Sequence, residues 1–410
     1  VQLSFAQEAI SDSSASENLV VAGNDCSQFV DPRIGSEGLG RTFPGPSMPF
    51  GMAKPGPDCE NEPNAGWDVL KKGVLGFSQT HVSGTGGGQK YGNVMVQPFI
   101  GGLDSTQHIQ NRSVEDISLG LYSSTYDNGI KTDITTAERC SYYRISSPQN
   151  LSLAVDAGHY LGMTEDTDAR ESQQFVGCEI AVVSSTEIVG YNRVRGGWNN
   201  GAAYTIYFCI QSDKPFTQVK TWSGDTITDS SSQVDNGKLS GALVQFASKD
   251  INLKVGISQL STLKAKQNIP GNDFDSQLQN LRDTWNSYLS KIKVEGSLQH
   301  LRMFYTALYH TMLMPTDKTG ENPLWIEGPY YDDYYAIWDT YRTSSPLLTL
   351  ICPDKQRDMI NSLLNIYHRD GYMPDARSGN SNGRTQGGSN AEVMIADAFA
   401  KGMTGIDYNY

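Results

Sequence analysis

The chain has 410 residues, enough for two or more domains with cores of their own. Its formal net charge is −13 and its isoelectric point about 4.9, an acidic balance that repels phosphate backbones and argues against nucleic acid as a partner. No apolar run reaches the roughly twenty residues of a membrane span, so no membrane is expected either.

Residues 1–25 are rich in Ser and Ala and read as a polar N-terminal tail, a processed start with no visible signal peptide. From Cys26 to about residue 262, short apolar runs are broken by Gly, Pro, Asn and Asp. Leu151–Val155, Ile180–Ser184, Ala203–Ile210, Ala242–Ala247 and Asn252–Ser258 read as strands. Short strands with turns at regular spacing predict a β-sandwich over 26–262. Six cysteines occur, with no CxxC pair, so a zinc site is not expected. Their even number permits disulfides without choosing a pairing. Asn111-Arg112-Ser113 and Asn150-Leu151-Ser152 are glycosylation sequons and, with the processed start, point to a secreted protein.

Inside the β region lies the glycine-rich stretch Gly76–Gly92, GFSQTHVSGTGGGQKYG. So permissive a backbone serves tight turns or close approach to a ligand. Gln89 follows Gly88 where a phosphate loop would have Lys-Ser or Lys-Thr, which excludes a Walker motif.

After about residue 262 the apolar period changes from two to between three and four. Phe274, Leu278, Leu281, Trp285, Tyr288 and Ile292 form one face of a linker helix within 263–297. Leu298, Leu301, Tyr305, Leu308 and Met312 form the next face and open a helical domain over 298–410. Ser345-Pro346 reads as the cap and first residue of a third helix. Pro353-Asp354 begins a fourth, which ends before Gly371, and a fifth spans about Ala391–Lys401.

Several long motifs, in order, resemble glycoside hydrolase family 92, the calcium-dependent exo-acting α-mannosidases. They are VDPRIGSEGLGRTFPGPSMPFGMAKPGPD (Val30–Asp58), GWD (Gly66–Asp68), Gly76–Pro98, YTALYHTMLMP (Tyr305–Pro315) and Ile337–Asp375. The resemblance implies a β-sandwich domain followed by an α-helical (α/α)6 barrel, of which 298–410 would be the first part and incomplete. The remainder of the barrel, as a second polypeptide or a C-terminal part, is then an expected partner. It implies release of terminal α-linked mannose, of exo-α-1,2-mannosidase type, from N-glycans or mannans with inversion. It also implies Ca2+ as cofactor, a mannose-containing oligosaccharide as substrate, and an extracellular, possibly fungal, setting. The family's acid Glu and base Asp lie in motifs not found in residues 1–410, and its calcium ligands come mainly from outside them, so catalytic and metal residues stay unassigned. Two other readings are open: an enzyme uncapping mannose-phosphate-mannose, and a non-catalytic glycan-binding chain.

On the resemblance, Asp339 and Arg342 are expected sugar contacts, a carboxylate accepting from and a guanidinium donating to vicinal hydroxyls. The alternative is an ion pair between them that caps the following helix. Trp67, beside Asp68, reads as a stacking platform or a core residue. Gly86 and Gly87 are expected to approach sugar closely. Lys90 could receive a phosphate or be simply solvated, and His81 is expected to hold the glycine loop in place.

Overall fold

In the strand Leu121–Tyr126 half-buried and buried residues alternate, so Tyr122, Ser124 and Tyr126 face one way. That period of two is what a sheet with one covered face requires. The computed structural model describes residues 20–37, 40–60, 65–84, 90–162, 172–197, 201–234, 237–383, 388 and 390–409. Among them a 16-stranded antiparallel sheet runs from Thr226–Thr228 at one end to Ser232–Gln233 at the other. Phe77, Val96, Val155 and Val244 from its first half share one core with Tyr122, Ile134, Ile206 and Leu253 from its second. All five apolar runs read as strands fall on strands, Ser152–Asp156, Gln173–Ser184, Tyr204–Ser212, Ser240–Phe246 and Asp250–Ser258, with only Leu151, Ala203 and Ala247 one residue outside them.

A helical region follows. Its helices are α1 (Thr262–Gln267), α2 (Phe274–Leu289), α3 (Leu298–His310), α4 (Ile337–Thr340), α5 (Ser344–Ile351), α6 (Pro353–Asp370) and α7 (Ala391–Ala400). The α2 face expected from periodicity is buried at Phe274, Leu281 and Trp285. The Trp285 indole N–H donates to the Ser47 carbonyl at 2.7 Å, tying α2 to the segment ahead of the sheet. That segment belongs to the helical core: Ala22, Phe29, Met48 and Phe50 pack with Leu301, Tyr305, Ile360 and Leu363. Val20–Val21, in the stretch read as a tail, pairs with Glu295–Gly296.

One helix start differs from the expectation. The third expected helix, α5, begins at Ser344 with Thr343 as its cap, and Pro346 falls inside the first turn. Proline is tolerated there because its missing N–H would have no partner in the helix. Helix α6 matches the expectation, with Pro353 at its start and Gly371 in the left-handed conformation, φ 82°, just past its end. All six cysteines are free and buried. Among the described residues no helix is long and apolar enough to cross a membrane.

Candidate active site

The glycine-rich stretch and the Ile337–Thr340 segment, far apart in sequence, meet at one cleft of about 290 Å3. Ser83 and Gly84 form one wall. His310 and Pro315 at the end of α3, the run Asp333–Ile337, Thr340, and residues of α5, α6 and α7 such as Leu348, Met359 and Met394 form the rest.

Asp333 is fixed from beneath. The Tyr91 hydroxyl donates to its Oδ1, and Lys318 Nζ lies 3.4 Å from its Oδ2. Lys318 also donates to Asp332 Oδ2 at 2.8 Å, which accepts the Asn380 backbone N–H at 2.9 Å as well. Arg377, fully buried, stands 3.7 Å from Asp332 Oδ1 and donates to Asp370 at 2.9 Å and to Asn382 at 2.6 Å. Burial pushes the Asp332 carboxyl up, but the Lys318 and Arg377 charges outweigh it and hold the group below the usual carboxylate range. Burial works on Lys318 in the opposite sense, and the two aspartates raise it above the usual lysine value. Three non-glycine residues of this network, Tyr91, Asp333 and Asn380, have φ between 63° and 64°. Left-handed backbone costs such residues of order 1–3 kcal/mol each and persists where surroundings over-determine it, often at functional sites.

Lys54 lies next to this network, its Nζ donating to the Gly51 carbonyl and to Thr316 Oγ1, the latter at 3.3 Å. Burial pulls it down to about 8 against the pull of Asp333, with Lys318 adding to the fall. His310 Nε2 is buried without a partner among the described residues, and burial lowers the imidazole to about 4, so it is neutral at pH 7. Ser83 Oγ accepts the Phe43 N–H at 3.0 Å, which leaves its own proton to donate.

His81 holds the base of the glycine stretch. Its Nδ1–H donates to the Lys54 carbonyl at 2.7 Å, and Nε2 meets Asp58 Oδ1 at 2.8 Å. Asp58 Oδ2 meets His159 Nε2 at 2.7 Å. Burial raises the Asp58 carboxyl, but the two imidazoles prevail and keep it well below the usual range.

The residues singled out from sequence fall in several places. Asp339 is exposed on α4, next to the cleft-lining Thr340. Arg342 is exposed, its guanidinium 4.9 Å over the Tyr341 ring. Among the described residues no ion pair joins Asp339 to Arg342, so the capping pair is absent. Trp67 is 2 % exposed in the sheet core, donating to Glu115 at 2.9 Å with Arg112 over its ring. Asp68 is half-buried and accepts the Leu70 N–H at 2.8 Å. Lys90 is 2 % exposed, which overturns its reading as a solvated lysine. The approach of its stem to Gly197 is close: a β-carbon there would stand 2.9 Å from Lys90 Cδ. Gly86 and Gly87 lie outside the described residues.

Sequence reasoning missed Asp333, Lys318, Lys54 and His310. The doublet inside YYDDYY was a usable signal, since two adjacent acids among tyrosines are costly to bury without cations nearby.

Residues 29–258 match the glycosyl hydrolase family 92 N-terminal domain, and residues 261–410 match the glycosyl hydrolase family 92 catalytic domain. Over 430 aligned residues the chain is 27% identical to an uncharacterized secreted glycosidase of Arthroderma benhamiae, covering 94% of this chain and 51% of that protein. Among solved structures it is similar to the family GH92 alpha-mannosidase BT3965 of Bacteroides thetaiotaomicron, with TM-score 0.84, 24% identity, and 94% and 56% of the two chains covered. It is also similar to the family GH92 inverting mannosidase BT2199 of the same organism, with TM-score 0.81, 23% identity, and 94% and 54% covered. The chain thus spans about half the length of the relatives it matches.

Proposed function

The chain belongs to glycosyl hydrolase family 92, and from that membership we propose that it forms part of a secreted exo-α-mannosidase that releases terminal α-1,2-linked mannose with inversion, in a calcium-dependent reaction. The observation that carries the reading is the shared cleft, in which Ser83 and Gly84 face Asp333 and Thr340. Its volume is near the lower end of small-molecule sites, about 300–1,000 Å3, which suits one terminal sugar better than a long chain. The names of the solved relatives point the same way.

What these residues contribute is holding the sugar. Asp333 keeps free lone pairs that accept from hydroxyls, and Tyr91 and Lys318 fix its direction. Ser83 donates, and neutral His310 exchanges a hydrogen bond without adding charge. Asp339 and Arg342, beside Thr340, are proposed to reach the sugar at the cleft mouth. Inversion needs an acid and a base carboxylate roughly 6.5–9.5 Å apart. The family resemblance assigns both to motifs other than those in residues 1–410.

Calcium would bind sugar hydroxyls and polarise them. Among the described residues no group of three or more His, Cys, Asp or Glu side chains is placed to hold an ion. Asp332 and Asp333 are also already paired with Lys318. The described donor set therefore does not fit a calcium site by itself. Lys90 is buried and does not line the cleft, so a neutral mannoside is preferred to a phosphodiester.

The test uses the full-length protein with an α-1,2-linked mannobiose, following the anomer of released mannose by proton NMR. The expected result is β-mannose first, abolished by a chelator and restored by calcium. Release of α-mannose first, full activity in chelator, or no cleavage of any α-mannoside would each overturn the corresponding part of the reading.

A further inference from the structure

The seam between the sheet and the helical region holds a second hollow, of about 400 Å3, which shares no lining residue with the cleft. Its walls come from residues 202–207 at the start of a strand, from Gln259 beyond the end of another, from Leu324, and from the turn at Asn380.

Gln259 is 3 % exposed, and among the described residues neither its Oε1 nor its Nε2 has a partner. A buried polar group left in that state is destabilising until a ligand satisfies it. Asn380 is part-spent: its Oδ1 accepts from the Tyr330 hydroxyl at 2.9 Å, while its Nδ2 has no partner among the described residues. Its φ of 63°, with bonds from its N–H to Asp332 and from Arg377 to its carbonyl, fixes the direction of that free amide. Tyr207 is half-buried, and Leu324 is exposed, giving an aromatic and an aliphatic wall. Among the described residues none that lines the hollow carries a charge.

This combination selects a ligand class. Amide groups with fixed directions pair with hydroxyls, both as donors and as acceptors. An aromatic ring covers a C–H face. An ion would lose its hydration and meet no counter-charge among the described lining residues. We propose that the hollow is a binding site for a neutral saccharide. Gln259 and Asn380 hold its hydroxyls, and Tyr207 and Leu324 cover its apolar face. The proposal does not depend on which bond the cleft cleaves.

The test is to soak crystals of the full-length protein in methyl α-mannopyranoside. The expected result is sugar in the hollow with hydroxyls within hydrogen-bond reach of the Gln259 amide. Ordered water alone there, or sugar only in the cleft, would overturn the proposal. Gln259→Leu removes an unpartnered amide at nearly constant shape, so its melting temperature should be unchanged or higher. Soaked in the same way, it should lose sugar from the hollow and keep it in the cleft. Retained sugar in the hollow would also overturn the proposal. Tyr207→Ala, which leaves both amides in place, should weaken binding at the hollow several-fold by calorimetric titration, and undiminished affinity counts against the proposal. Mannose 6-phosphate should bind there no more tightly than mannose; a tenfold gain would refute the neutral class.

Discussion

Asp58 accepts from two imidazoles in the interior of the sheet domain, and its own side chain has no exposure to water. Removing one partner of such a buried pair costs about 3–5 kcal/mol. Asp58→Asn should therefore lower unfolding free energy by that order in a urea titration, and a loss below about 1 kcal/mol would show the cluster to be incidental. The sign of its pH dependence follows from the depressed carboxyl. The stabilisation is present above the ordinary Asp value of 3.8 and is lost as pH falls further. The variant should lack that acid-side loss. Asp339 is a contrasting case, exposed and with no ion-pair partner among the described residues. Asp339→Asn should leave the melting temperature within about 1 °C while reducing turnover sharply, because charge-assisted bonds to hydroxyls are roughly twice as strong as neutral ones. A normal rate per folded molecule would remove Asp339 from the sugar site.

Two glycines separate backbone strain from steric clash at the scale of single turns. Gly371 closes α6 at φ 82° with nothing within 4 Å of where a β-carbon would stand. Gly371→Ala should cost only the left-handed strain, about 1–2 kcal/mol. Gly66, at φ 87°, would place a β-carbon 2.3 Å from Asp58 Oδ1 and 3.0 Å from His81 Nε2. Those atoms are pinned to each other, so Gly66→Ala should cost at least twice as much, measured in the same denaturant series. Equal losses would mean that the His–Asp cluster yields easily. The elements around these turns were largely legible in the sequence. The α2 and α3 faces announce themselves because a helix buries every third or fourth residue, and the five strand runs because short apolar stretches end at turn residues. The ends of elements were less so: the start of α5 falls at Thr343, whose side chain makes no capping hydrogen bond. The site was legible only in part. The glycine stretch and the WDT segment do share a cleft, but the fixed carboxylate in it, Asp333, is defined by Tyr91 and Lys318, more than two hundred and about fifteen residues away in sequence. Such pairing exists only after folding, and no local pattern encodes it. Trp67 and Lys90 show the same limit, since nearby glycines mark a turn but do not say whether a side chain points into the core.

Across the whole molecule, the two cores are joined by polar contacts that neither region could make alone. Tyr91 comes from the sheet domain, and Lys318, Asp332 and Asp333 come from the stretch between α3 and α4. Trp285 on α2 bonds to Ser47, and Gln277 on α2 donates to the Thr136 carbonyl at 2.9 Å. Lys318 is the cation at the centre of this junction. Lys318→Met keeps the stem and removes the charge, which leaves Asp333 with the Tyr91 hydroxyl, and Asp332 with the Asn380 N–H and with Arg377 at 3.7 Å. In the wild type, Asp332 is held below its ordinary value, so it contributes stability above about pH 4 that is lost in acid. Without Lys318 burial prevails at Asp332, and its folded-state value rises above the unfolded one. The sign then reverses: the variant's stability is greatest below the unfolded value and falls as pH rises through the folded one. Lys318→Met should therefore lose several kcal/mol at pH 7 and recover part of that deficit at pH 5, by chemical denaturation at both pH values. A deficit that is the same at both, or larger at pH 5, would mean that Arg377 and the Asn380 N–H suffice to hold Asp332 ionised without Lys318.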